Sequence, residues 1–407
     1  MDDPQVILGV SRSQVCARME HSGMDRDMVE FGYNLMLYCV YAYIPDPPVS
    51  PAAATLSLSA TPSAPDGVDR ISRLPEKVLR DIVSRLPAKD AARTAALASR
   101  WRSLWRSAPL TLVDSHLLPD GGASGPFVIG APSPRAVTAA VSSALAAHPG
   151  PFRCVHLTCS TMDEHRGEMA RWIDTLVAKG VQELVFVNRP WPIDLRLPAT
   201  LFRCASLTRL CLGVFRLPDT AAVPRGARFP NLRELSLCLN TMEDRDLAFL
   251  LERSPVLEFL FIMGNQAGGV RLRLISHSLR CVQLGFSFSE DIDVVDAPRL
   301  ERLFQFGELA HSHRMNNATH PASSSRIKIG RAPNLRVLGY LESGVQDLGI
   351  SNTVVVAGRK ENIVPSVQIL AVEVQFGVRN VVKKVPGFLR CLPNVETLHV
   401  QSRRISI

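Results

Sequence analysis

No apolar run in the 407 residues reaches the ~18–20 that a membrane-crossing helix requires. The longest candidate, Phe31 to Ile44, is too short and carries Asn34. The nine cysteines never fall as C-x-x-C, so the usual spacing of a structural zinc site is missing. The start, MDDPQVILGV, is acidic and lacks the basic region and cleavage site of a secretory leader. These absences predict a soluble chain with free thiols in a reducing compartment, cytosol or nucleus, and no membrane contact. There is no G-x-x-x-x-G-K-[ST] loop and no G-x-S-x-G elbow. Asp163, Glu164 and His165 are adjacent in one short segment and cannot converge as a catalytic set must. His311, His313 and His320 lie in a polar stretch without the fixed scaffold of a metal site. Cys154, Cys204, Cys211, Cys238, Cys281 and Cys391 read as small buried thiols. No catalytic residue, metal or cofactor is expected.

Hydrophobic residues make up 46% and charged residues 21%, enough for a sizeable core. The length suggests about two or three domains. The net charge of +8 is unevenly spread. Residues 1–68 carry three Arg against eight Asp or Glu, whereas residues 69–112 carry ten basic and four acidic residues. A concentrated basic segment suits nucleic acid or an acidic protein surface. No aromatic platform interleaves with Arg100, Arg102 and Arg106, and no groove-reading module is recognisable, so nucleic acid is not the expected partner.

Residues 1–68 read as an N-terminal extension, largely disordered, because the Pro-rich stretch from Pro45 to Gly67 cannot bury enough surface to order itself. The Tyr-rich patch from Tyr33 to Tyr43 reads as weakly ordered, with a partner-binding helix as the alternative. Three short helices follow in residues 69–112. Val78, Leu79, Ile82, Val83 and Leu86 recur at helical spacing, Ala91 to Leu97 form a small-residue stretch, and Trp101, Leu104 and Trp105 share one side of a third segment. So small a bundle cannot bury all of these, so the surplus calls for a partner chain or the next domain.

From residue 151 the chain repeats the pattern apolar-x-x-apolar-x-apolar. It starts at Phe152, Val181, Leu207, Leu232, Leu257, Leu279, Leu335, Val367 and Val395, with a degraded copy at Leu300 that has Gln305 in its third slot. The first six intervals are 29, 26, 25, 25, 22 and 21 residues, within the leucine-rich-repeat range. Proline stands two residues before six starts, at Pro230, Pro255, Pro298, Pro333, Pro365 and Pro393, where it ends one segment and feeds the next strand. The connections read as helix or irregular chain. Such units stack into a curved solenoid with a parallel sheet.

The stretch DRISRLPEKVLRDIVSRLPAKDAARTAALASRWRSLWRSAPL resembles the F-box of plant F-box/leucine-rich-repeat proteins. VPSVQILAVEVQFGVRNVVKKVPGFLRCLPNVETLHV is similar to the start of the FBD segment that follows the repeats in many of them. The resemblance implies an α/β fold: a three-helix F-box at 69–112, a connecting segment at 113–150, leucine-rich repeats at 151–354, and last repeats with a partial FBD-like segment at 355–407. The chain ends at QSRRISI, where that segment would continue, so an uncovered sheet edge is expected there.

The resemblance also implies a role: a non-catalytic substrate receptor of an SCF-type ubiquitin ligase. The F-box would dock a Skp-type adaptor, and through it cullin and RING subunits, while the repeats hold an unknown target protein. The implied docking face is Leu74, Pro75, Leu79, Ile82, Leu86, Pro87, Leu97, Trp101, Leu104 and Trp105. The strand positions between the second and third apolar residues, Cys211, Ser236, Phe261, Gln283, Phe304, Gly339 and His399, should face the concave side. With the flanking Arg209, Glu234, Phe259 and Arg302, they supply the expected target contacts. A repeat module that binds proteins without recruiting a ligase is the alternative.

Overall fold

The computed structural model describes residues 37–49, 70–118, 135–160, 166–188, 195–220, 223, 226–265, 271–285, 291–306, 325–342, 346–350, 353–356, 359–374, 376 and 379–402. Asp163, Glu164, His165, His311, His313 and His320 lie outside them. The chain divides into two compact units, residues 1–218 with 222–229, and residues 219–221 with 230–407.

The first unit begins with helix α1 at residues 37–43. Leu37 and Val40 on it, and Val49 after it, are buried. Of the Tyr-rich patch from Tyr33 to Tyr43, expected to be weakly ordered with a helix as the alternative, residues 37–43 are helical and have an apolar surface of the same unit to lie on. Helix α2 (Glu76–Ser84) opens after Pro75, whose fixed φ suits a helix start, with Glu76 in the first turn facing the positive end of the macrodipole. Pro87 likewise opens α3 (Ala88–Thr94), and α4 (Ser99–Ser107) follows. Strands β1 (Leu110–Val113), β2 (Phe152–Leu157), β3 (Glu183–Val187) and β4 (Arg209–Gly213) pair in that order, all parallel. The sheet thus starts one strand earlier than the repeat template indicates. Helices α5 (Arg135–Ala147) and α6 (Arg166–Ala178) and a 3₁₀ turn (Ala199–Arg203) form the crossovers. Leu110, Leu112, Phe152, Val155, Leu157, Leu184, Phe186, Leu210 and Leu212 are buried, and so are Val113, His156, Val185 and Cys211 on the opposite face.

A buried carboxylate locks two of these strands together. Asp114, just after β1, accepts from the backbone N–H groups of Thr158, Cys159 and Ser160 and from the Thr158 and Ser160 hydroxyls, at 2.8–3.2 Å. Burial raises its pKa and these donors lower it, with burial the larger cause.

The second unit has strands β5 (Glu234–Asn240), β6 (Phe259–Asn265), β8 (Cys281–Gly285), β10 (Arg302–Phe306), β12 (Val337–Glu342), β16 (Ile369–Val374) and β17 (Thr397–Ser402), side by side in that order. Helix α7 (Asp244–Glu252) crosses from β5 to β6 and starts with a capping box between Glu243 and Asp246. Later connections differ from the expected helix or irregular chain. Strands β7 (Arg271–Ile275), β9 (Asp291–Asp296), β11 (Ser325–Arg331) and β13 (Gln346–Ile350) form a second parallel sheet. Leu272, Ile292 and Ile327 lie in register and are buried, whereas Arg271, Asp291 and Arg326 alternate in sign along the preceding rung. A strand crossover closes these repeats because their connecting segments alternate apolar and charged residues, which suits a pleat and not a helix. A hairpin of β14 (Thr353–Val356) and β15 (Arg359–Asn362) and helices α8 (Arg379–Val382) and α9 (Val385–Cys391) complete the unit. The outermost described strand, β17, leaves Leu398 and Val400 exposed.

Candidate docking surfaces

The helical module sorts its apolar residues into two sets. Leu79, Val83, Ala91, Trp101 and Leu104 are buried within the chain. The implied outward roles of Leu79, Trp101 and Leu104 are corrected accordingly: the module is roofed by its own unit. Pro87 forms a parallel bridge with Thr111 of β1, and the Thr111 hydroxyl reaches the Ser84 carbonyl at 3.5 Å. Trp101 Nε1 donates to Ser72 Oγ at 2.9 Å. Trp105 is half-buried, with its ring edge-on to His148 at 5.4 Å, and His148 stacks similarly on Phe152. His148 Nε2 lies 3.1 Å from the Ala108 carbonyl and 3.2 Å from that of Pro151. Lys179 Nζ donates to the carbonyls of Leu145 and His148 at the end of α5.

The remaining apolar groups stay open. Leu97 is 68% exposed, Ile71 57%, Val78 43% and Leu74 36%, with Pro75 exposed between them. Ile82, Leu86 and Pro87 are half-buried. Arg100 gathers the open set. Its guanidinium donates to the carbonyls of Ser72 and Leu74, and it lies in the first turn of α4, three residues after Leu97 in the chain. Arg73, Lys77, Lys89, Arg102 and Arg106 make no ion pair among the described residues, whereas Arg80, Arg85 and Arg93 are matched by Glu76, Asp81 and Asp90. The patch is therefore apolar with a basic surround.

In the second unit, register places Ser236, Phe261, Gln283, Phe304 and Gly339 on one rung, and Glu234, Phe259, Cys281, Arg302 and Val337 on another. Ser236, Gln283, Phe304, Glu234 and Phe259 are partly exposed, and Arg302 and His399 are exposed. Phe261 is a correction, being buried, with its ring beside Gly285. Gly339 is buried against Ala371. In the first unit, Cys211 is buried and Arg209 pairs with Glu183 at 2.9 Å.

A family model described as "FBD-associated F-box protein At5g56370, LRR repeats" matches residues 169–400, more than half of the chain. The chain belongs to the FBD-associated F-box family with leucine-rich repeats. A model of the F-box domain matches residues 71–112, the helical module with the start of β1. Among similar Arabidopsis thaliana proteins, "F-box/LRR-repeat protein 13" is 30% identical over 250 residues, 58% of this chain and 52% of the relative. "FBD-associated F-box protein At4g13985" is 30% identical over 60% of this chain and 53% of its own length. "Putative FBD-associated F-box protein At1g05080" is 34% identical over 48% and 42%. The chain spans about half the length of the curated relatives it matches.

Sequence reasoning missed three groups in this F-box/repeat chain. Ile71 and Val78 belong to the open patch, although Val78 matches the helical apolar period. Tyr340 stands in a core slot of the repeat template, yet a register irregularity between Leu338 and Leu341 puts Leu341 in the core. Tyr340 stays partly exposed, with its ring 6.5 Å from Phe304. The third group is the asparagines. Asn265 binds Met242, Asn334 Nδ2 donates to the Pro298 carbonyl at 2.7 Å, and Asn394 Nδ2 donates to that of Pro365 at 2.8 Å. Asn240 and Asn265 could have been found, because they occupy the asparagine position of the leucine-rich-repeat consensus. Among the described residues, no helix is long and apolar enough to cross a membrane, and no group of three His, Cys, Asp or Glu is placed to hold a metal.

Proposed function

We propose that this chain is the non-catalytic substrate receptor of an SCF-type ubiquitin ligase in the cytosol or nucleus. In this reading Ile71, Leu74, Pro75, Val78 and Leu97 dock a Skp-type adaptor, which carries the cullin and RING subunits. The outer face of the repeats, with Phe259, Arg302, Phe304 and Tyr340, holds a target protein. The observation that carries the reading is the open apolar patch on a helical module whose other large residues are buried or half-buried. Burying such groups contributes about 25 cal/mol per Å² of apolar surface before association costs. The unpaired basic residues around the patch favour an acidic adaptor and raise its on-rate.

Capture of a purified Skp-type adaptor by the full chain tests the reading. A Leu74→Asp, Val78→Asp chain that keeps its circular dichroism spectrum should lose capture. Equal capture by both chains refutes this docking face. Failure of the unaltered chain to capture any such adaptor leaves the ligase-independent binding module.

A further inference from the structure

Within the first unit, the outer face of the sheet is closed. Register lines up Val113, His156, Val185 and Cys211 on one rung, and Val187 with Gly213 farther along the strands. Each non-glycine side chain in that set is 4% exposed or less. At the matching position in the second unit, Phe261 and Gly339 are buried, whereas Ser236, Gln283 and Phe304 are partly exposed and His399 is exposed. Several strand positions that are open in the second unit are thus covered in the first.

Part of the cover is the chain's own residues 37–49. Val40 is fully buried, and its Cγ1 lies 3.0 Å from where a Cβ at Gly213 would sit, beside Val187. A side chain at 213 would lift Val40 off the sheet. The Tyr41 hydroxyl donates to the backbone carbonyl of Thr158, just past the end of β2. Leu37, one turn before Val40, is 1% exposed, while Tyr38 and Tyr43 are 58% and 42% exposed. The helix is therefore amphipathic. Its seated side carries two aliphatic residues three apart and a hydroxyl next to the second. Residues 50–69 separate it from the helical module in sequence, so the helix is covalently linked to the chain that carries its seat.

We propose that residues 37–49 are an internal ligand of a helix-binding seat on the outer face of β2–β4. The target of this protein then presents an amphipathic helix of the same kind, which enters when the internal helix leaves. This deepens the proposed function: it rests on the reading of the chain as a target receptor and adds a seat on the first unit's strands to the target contacts proposed on the second's. A tethered occupant acts at an effective concentration of the order of millimolar. An external helix of micromolar affinity is consequently shut out until the internal one is released.

The test uses the full chain with a protease site inserted between Ala60 and Thr61, and a fluorescent peptide of residues 34–49 as probe. The uncut chain should take up little probe. After cutting and removal of the N-terminal fragment, the probe should bind at least tenfold more tightly, and a probe carrying Val40→Asp should not bind. A full chain carrying Val40→Asp opens the seat by a second route and should also gain probe binding, so the test does not depend on the cut protein staying folded. Equal uptake before and after release, or no uptake by either opened form, overturns the proposal. Adaptor capture is measured on the same samples and should not change on cutting. Its absence alongside the expected probe binding would sink the ligase reading and leave the seat, and the reverse result would do the opposite.

Discussion

Asn265 holds both backbone groups of Met242. Its Oδ1 accepts from the Met242 N–H at 3.1 Å and its Nδ2 donates to the Met242 carbonyl at 3.0 Å. Met242 is 1% exposed, so water cannot replace either bond. Asn265→Ala should cost about 2–4 kcal/mol, one to two for each buried group left without a partner. Asn265→Asp keeps the acceptor and should cost less than Ala. Urea denaturation checks the order, and equal midpoints for the three chains would show that the bracket contributes nothing.

The two sets of apolar residues in the helical module predict opposite phenotypes. Leu104 is fully buried, so Leu104→Ala should destabilise the chain by about 2–5 kcal/mol through lost burial and the cavity left behind. Leu97 is 68% exposed, so Leu97→Ala should leave thermal stability nearly unchanged. On the proposed docking face it should weaken adaptor binding about tenfold or more. Thermal melts and titration of the adaptor separate the two. A large melting shift for Leu97→Ala, or undiminished adaptor affinity, would place that residue elsewhere.

How far the sequence reached can be judged from particular residues. The leucine template found the strand phase from Phe152 to Val374 because the second and third apolar positions of each copy share the strand face that meets a core. The charge alternation in RLRLI, DIDVVD and SRIKIGR was equally readable as strand. The leucine template passes over it, because these segments lie between its copies, where it assigns helix or irregular chain. Tyr340 was not readable, since a one-residue irregularity moves the core slot to Leu341 without changing composition. The surplus apolar face calls for a partner chain or the next domain. Composition counts how many large residues a bundle holds, but not how much of β1 roofs them. The seat of α1 was invisible, because Tyr41 and Thr158 are 117 residues apart and no local pattern links them.

Asp114 should tolerate no shortening. Asp114→Ala would leave the N–H groups of Thr158, Cys159 and Ser160 buried without acceptors, at roughly 1–3 kcal/mol for each. Asp114→Asn would turn two donor hydrogens toward a ring of donors and should recover only part of the loss. Because Tyr41 binds the Thr158 carbonyl in the same loop, both variants should also loosen residues 37–49. Hydrogen exchange of those residues, read beside global stability, tests the link. Unchanged protection of residues 37–49 in a folded Asp114→Asn chain would break it.

His156 makes stability fall on the acid side. Burial, reinforced by the nearby Arg209 and then His116, pushes its imidazole down from 6.5 to about 4. The folded chain therefore keeps it neutral while the unfolded chain takes up a proton near pH 6.5. As pH drops from 6.5 toward 4, the unfolded state gains roughly 3 kcal/mol from this one group, and below 4 the loss stops because both states are protonated. His148 and His116, also lowered by burial, add in the same sense. Asp114, raised by burial, works in the other sense, since its folded form takes up a proton first. A His156→Gln chain isolates the imidazole. Its unfolding free energy should change less between pH 6.5 and 4 than that of the unaltered chain, and the two should run parallel above pH 7. Parallel curves across the whole range would mean that His156 is protonated in the fold, and that the face on which it lies is open to water.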